Sequence, residues 1–89
     1  MTIQVVLYSK PGCHLCEIVK CKLERLRQDH PFNFCERNIV DDPDDYERFH
    51  LDIPVVFIND EEAFKHTLDG SEFLERLAQS EKSKKPNAT

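Results

Sequence analysis

Cys13 and Cys16, separated only by His14 and Leu15, are the residues of this chain best placed to do chemistry. They follow an apolar run of β type, Ile3-Gln4-Val5-Val6-Leu7-Tyr8, and open a stretch with helical patterning. Two thiols one helical turn apart at a helix start are arranged for thiol–disulfide exchange. The first turn of a helix offers backbone N–H groups without partners and the positive end of the macrodipole, so a thiolate at Cys13 is favoured over the thiol. Lys10 lies three residues upstream and adds a cation near the same sulfur, and His14 supplies an imidazole that can modulate it. The expectation is a Cys13 thiol of lowered pKa that attacks, and a Cys16 thiol that resolves the mixed disulfide.

A structural metal site is the competing use of such a pair. Zinc normally takes four ligands, often as two such pairs, and neither a second Cys-x-x-Cys nor a His-x-x-x-His occurs in the sequence, so no metal site is assigned. Cys21 falls nearly opposite the apolar stripe of its helix and about 140° from Cys16 on a wheel of 100° per residue, which argues against a local bridge between those two. A bridge between Cys21 and Cys35 stays open, although the common role of unmodified cysteine is small apolar packing. His30, His50 and His66 are scattered and are assigned to surface or turn positions.

The elements that must position this pair can be read along the chain. Ile3 to Tyr8 reads as a buried strand, which Pro11 and Gly12 stop and turn. From His14 to about Gln28, Leu15, Val19, Leu23 and Leu26 share one helical face, with Ile18 at its edge. Asp29, His30 and Pro31 end that helix, and Phe32 to Ile39 begins with the alternation of a second strand. Asp42-Pro43-Asp44-Asp45 combines a cap, a proline at the first helical position and acids in the first turn, predicting a short helix to Phe49 or His50. Ile53 to Ile58 is a third strand entered through Pro54, and Asn59-Asp60-Glu61-Glu62 forms a polar turn into a short strand from Ala63 to Thr67. A last helix begins near Asp69, with Glu72 three residues on and Phe73, Leu74 and Leu77 on its apolar face. Phe32, Phe34, Phe57, Phe64 and Phe73 are assigned to the core. Residues 1–79 therefore form one domain and residues 80–89 a disordered tail of Ser, Lys, Pro and Asn with nothing to bury.

Size and charge narrow the function. Eighty-nine residues suffice for one small core, and twelve Lys and Arg against seventeen Asp and Glu give a net charge of −5, the opposite of a nucleic-acid footprint. No apolar run approaches the roughly 20 residues of a membrane span, and no signal core precedes the first strand, so a cytoplasmic protein without a membrane partner is expected. In a reducing compartment a Cys-x-x-Cys beside a strand–helix–strand pattern favours redox chemistry over stapling.

The segments Val6-Leu7-Tyr8-Ser9-Lys10-Pro11-Gly12-Cys13-His14-Leu15-Cys16 and Ile53-Pro54-Val55-Val56-Phe57-Ile58-Asn59 resemble those of the glutaredoxin-like family. The resemblance implies an α/β, thioredoxin-like fold: a four-stranded mixed sheet flanked by three helices in the order β-α-β-α-β-β-α. It implies a thiol–disulfide oxidoreductase in which Cys13 is the nucleophile and Cys16 the resolving thiol. Pro54 is then a cis-proline facing the disulfide, Val55 offers backbone groups to a bound thiol substrate, Lys10 is the basic residue before the motif, and Tyr8 borders the site. The substrates implied are disulfide or glutathionylated proteins, reduced by a monomer with no tightly bound cofactor and with glutathione as co-substrate.

Two features depart from the family pattern. His14-Leu15 replaces the usual Pro-Tyr, and a single glycine, Gly70, stands where glutathione-using members carry a Gly-Gly pair and an acid. Asp69, Gly70 and Ser71 still supply helix N-terminal N–H groups suited to a carboxylate. The alternatives are an electron carrier fed by a thioredoxin reductase and a non-enzymatic module binding a metal or an iron–sulfur cluster.

Overall fold

Alternation along the first strand decides how the sheet is dressed. In the computed structural model, which describes residues 3–83, β1 (Gln4–Ser9) buries Val5, Leu7 and Ser9 on one face and half-buries Gln4, Val6 and Tyr8 on the other. It pairs parallel with β2 (Asn33–Asn38) and antiparallel with β3 (Val55–Ile58), and β3 pairs antiparallel with β4 (Glu61–Lys65). The order β2-β1-β3-β4 places β1 and β3 at the centre. With α1 (His14–Asp29), α2 (Pro43–Phe49) and α3 (Gly70–Ser83), this is the expected mixed sheet with three helices, β-α-β-α-β-β-α.

Each face of the sheet has its own core. Val5, Leu7, Val56 and Ile58 pack with Val19 and Leu23 of α1 and with Phe73 and Leu77 of α3. On the opposite face Val55 packs with Phe49 of α2 and with Ile39, joined by the half-buried Tyr8, Ile53 and Phe57. Both β1 and β3 are therefore covered on two sides, as their near-continuous apolar sequences require.

Helix starts follow their sequence signals. Asp42 accepts the Asp44 N–H at 2.9 Å ahead of Pro43, and Asp69 accepts the Glu72 N–H at 3.1 Å at the start of α3. The second strand stops at Asn38 instead of Ile39, because the Asn38 side chain accepts the Val40 N–H at 2.9 Å and caps a 3₁₀ turn at Ile39–Asp41. α3 continues past Gln79 to Ser83, and the remainder of the expected tail, 84–89, lies outside the described residues.

Two local readings are corrected. The fourth strand begins at Glu61, two residues before the expected Ala63, because the turn is made by Asn59 and Asp60 alone. Both have positive φ, 49° and 70°, the backbone of the two-residue hairpin turn that suits right-twisted strands. Asn59 is also fixed to β1, donating its N–H to the Gln4 carbonyl at 2.8 Å and accepting the Gln4 N–H at 2.9 Å. Asp60 is exposed, so its left-handed backbone is a conformational cost that glycine relieves. Asp60→Gly is expected to stabilise the protein by about 0.5 kcal/mol, read from the midpoint of urea unfolding.

The second correction concerns Leu15, which is 50% exposed instead of lying on the buried face of α1. The buried residues are Cys16, Val19 and Leu23, a stripe that takes in the second cysteine and leaves Leu15 and Ile18 on its flank. Among the scattered histidines, His30 and His66 are exposed, and His50 stacks on Tyr46 with ring centroids 4.7 Å apart.

Candidate redox site

The site begins where β1 runs out. Ser9 is the last buried residue of the strand, and Lys10, Pro11 and Gly12 form an exposed loop. Gly12 has φ 78°, so a proline followed by a residue that must tolerate the left-handed region turns the chain into α1. Cys13 is then the N-cap, with extended φ −91° and ψ 108°. Its Sγ accepts the Cys16 N–H at 3.1 Å, the position a serine or aspartate oxygen takes at an ordinary helix start.

Cys13 and Cys16 are joined as a disulfide with Cα atoms 5.2 Å apart. Their exposure differs: Cys13 is half-buried, whereas Cys16 is 3% exposed beneath it. Once the pair is reduced, negative charge on Cys13 faces the N–H groups and positive end of α1, which stabilise it. Lys10 and His14 are both exposed beside it in sequence, on the loop and in the first turn.

The sheet register brings the third strand to this end of β1. Tyr8 is opposite Val55, so Pro54 sits level with the end of β1, at the same sheet end as the motif loop. The Ile53-Pro54 bond is cis, Pro54 is buried, and its carbonyl accepts the His66 N–H at 2.7 Å. Val55 is buried in the second core and in register with Lys65 on its other side. Tyr8 points the same way: its ring lies 4.4 Å from that of Phe49 and 5.4 Å from that of Phe57, under the Arg37 guanidinium at 5.9 Å. Arg37 also holds the largely buried Asp45 at 3.1 Å, and this hydrogen bond raises the guanidinium pKa further.

Asp69 and Gly70 lie at the start of α3, four and five residues beyond the Lys65 end of β4. Asp69 Oδ1 caps the helix, and the adjacent Leu68 carbonyl accepts Lys22 Nζ at 2.9 Å, six residues along α1 from Cys16.

A cleft of about 320 Å³ lies on the other side of the pair, lined by Ser9, Lys10, Gly12, Cys16, Lys20 and Glu36 among others. Ser9 Oγ donates to Glu36 Oε2 at 2.9 Å, and Lys20 Nζ lies 3.1 Å from Glu36 Oε1. The hydrogen bond and charge of Glu36 raise the Lys20 pKa from 10.5. The stabilisation this pair gives is complete below that value and is lost as pH rises through the raised one. It is small, because both side chains are more than a third exposed. Ser9, Lys20 and Glu36 were not among the expected site residues. Two signals were present in the sequence: Lys20 is one turn after Cys16, and Phe34, Glu36 and Asn38 share one face of β2.

Cys21 and Cys35 are free and exposed, so neither has the packing role expected of unmodified cysteine. The bridge between them is absent for a topological reason. Cys35 alternates away from Glu36, which faces α1, so the sheet separates it from the helix that carries Cys21. Among the described residues, no group of three or more His, Cys, Asp or Glu side chains is gathered to hold a metal ion, and no helix is long and apolar enough to cross a membrane.

A mixed sheet of this order with a Cys-x-x-Cys disulfide at the first strand-to-helix turn defines a thioredoxin-fold protein with a redox role. The pattern of the Glutaredoxin-like domain (DUF836) matches residues 4–78, and the chain belongs to that family. The solution NMR structure of protein Ne2328 from Nitrosomonas europaea is similar at 26% identity and a TM-score of 0.75, over 85% of this chain and 92% of that one. A protein of X. campestris is similar at 23% identity and a TM-score of 0.70, over 84% and 96% of the two chains. Chloroplastic thioredoxin z shares the fold at 16% identity and a TM-score of 0.74, over 90% of this chain and 79% of its own. No curated protein matches the sequence.

Proposed function

We propose that this protein is a glutaredoxin-like thiol–disulfide oxidoreductase that reduces disulfide or glutathionylated proteins through Cys13 and Cys16. The observation that carries this reading is the unequal exposure of the bonded pair, an accessible sulfur capping α1 above a buried one. In the reduced protein, Cys13 thiolate attacks a substrate disulfide, forms a mixed disulfide and expels one thiolate. Cys16 then attacks Cys13 Sγ, expels the second thiolate and restores the disulfide; two molecules of glutathione or a reductase return the pair to dithiol. Lys10 attracts the anionic substrate and stabilises Cys13, with His14 as a further modulator and Tyr8 as a fixed wall of the sheet end. Pro54 and the Val55 backbone line the approach of the incoming sulfur. The protein acts as a monomer in a reducing, cytoplasmic setting and needs no resident cofactor.

Glutathione is the co-substrate in this reading, with the N–H groups of Gly70 and Ser71 available to a carboxylate. One feature favours a carrier reduced by a reductase instead: a single glycine, Gly70, stands where glutathione-using members carry a Gly-Gly pair, and Asp69 Oδ1 already accepts the Glu72 N–H. A coupled assay separates the two. Reduction of a glutathione mixed disulfide is followed through glutathione and glutathione reductase as NADPH oxidation, beside a parallel reaction containing thioredoxin reductase alone. Turnover that saturates with glutathione is expected. Turnover only in the parallel reaction would establish the carrier, and none in either would refute exchange activity.

A further inference from the structure

We propose that Lys20, held at the edge of the cleft by Glu36, which Ser9 fixes in turn, is a positioning residue for the resolving step, its ammonium stabilising the thiolate of Cys16. This inference rests on the exchange reading above. Cys16 is 3% exposed, and a thiol so buried resists ionisation unless a cation or donor is at hand. The cleft is lined by Cys16 and Lys20 together, and the two are four residues apart on one helix, where side chains are neighbours. Two contacts fix the lysine there. Glu36 is tied through Oε2 to the buried Ser9 hydroxyl and presents Oε1 to Lys20 Nζ at 3.1 Å. An ammonium has three donors, so Glu36 leaves two for the sulfur or for water in the cleft. The charged groups lining this cleft with Cys16 are Lys10 of the loop, Glu17 and Lys20 of α1, and Glu36 of β2. Glu36 already holds the Ser9 hydroxyl and the Lys20 ammonium, and Lys10 and Glu17 are exposed, which leaves Lys20 as the cation anchored at the cleft.

The step balances without another reagent. Cys16 gives its proton to cleft water, its thiolate forms the Cys13–Cys16 bond, and the bond from Cys13 to the substrate sulfur breaks with the electron pair leaving on that sulfur. The dithiol is oxidised and the substrate disulfide reduced.

The test uses the 89-residue chain carrying Cys21→Ser and Cys35→Ser, which remove the two exposed free thiols. Reduced protein is mixed rapidly with the chromogenic disulfide dithiobis-nitrobenzoate. A first coloured thiolate reports attack by Cys13, and a second reports resolution by Cys16. Lys20→Gln is expected to leave the first phase unchanged and slow the second by about three- to tenfold at neutral pH, with its pH midpoint moved upward. Lys20→Arg is expected to restore most of the rate. A second phase of unchanged rate and midpoint in Lys20→Gln, or no rescue by Lys20→Arg, would overturn the proposal. Absence of a second phase in the protein that retains Lys20 would overturn the exchange reading itself.

Discussion

Cys13→Ser is expected to abolish catalysed exchange, whereas Cys16→Ser retains the first half-reaction and accumulates a mixed disulfide on Cys13. The asymmetry follows from exposure: the sulfur at position 13 is half-exposed and that at 16 is buried, so Cys16 cannot take over as the attacking group. The fall in turnover for Cys13→Ser should be on the order of a thousandfold or more, as for removal of a nucleophile elsewhere. Serine is also a good N-cap, so the Cys16 N–H that Cys13 Sγ accepts keeps a partner and α1 should not fray. Activity loss and unfolding are thereby separated, which a circular dichroism melt would verify. For Cys16→Ser in the protein that also carries Cys21→Ser and Cys35→Ser, intact-mass measurement after exposure to glutathione disulfide should show one glutathione, on Cys13. In the coupled assay that protein stays active if glutathione resolves the adduct and falls silent if Cys16 must. Wild-type turnover in Cys13→Ser, or an adduct mapped to Cys16 in wild-type protein, would reverse the assigned roles.

Most of what frames this pair was legible in the sequence because it is local. Pro11-Gly12 before a Cys-x-x-Cys, the cap at Asp42 with Pro43, and the apolar strands at residues 3–8 and 53–58 each depend on neighbours in the chain, and each stands close to where it was expected. Asn59 and Asp60 were harder: polar residues mark a turn, but only their positive φ shows that two residues complete it. Leu15 was misplaced because helical periodicity treats all apolar residues alike. The sheet instead takes Cys16 into the buried stripe, which a cysteine three residues from a reactive partner does not advertise. The contacts that link Lys20 and Ser9 to Glu36 are long-range and arise from the parallel pairing of β1 with β2. Their residue types were visible, but their meeting depended on register.

Phe73→Ala is expected to cost about 3–5 kcal/mol of folding free energy, a large part of the roughly 5–15 kcal/mol that small domains possess. Among the described residues Phe73 is the largest fully buried side chain. Its ring meets Phe32 edge-on at 5.5 Å and lies 6.3 Å from Phe64. Phe32 leads into β2 and Phe64 belongs to β4, so a single side chain of α3 fastens both outer strands to one core. Alanine would leave a cavity bounded by β-sheet, which can collapse only by bending strands already fixed by their ladders. The disulfide is held by β1 and the first turn of α1, neither of which contributes a ring to this contact. Guanidinium unfolding should therefore show a lower midpoint with little change in slope, while the rate of exchange per folded molecule stays near wild type. A loss below about 1 kcal/mol would mean that the helix settles into the space and that the aromatic contact is not what fastens it.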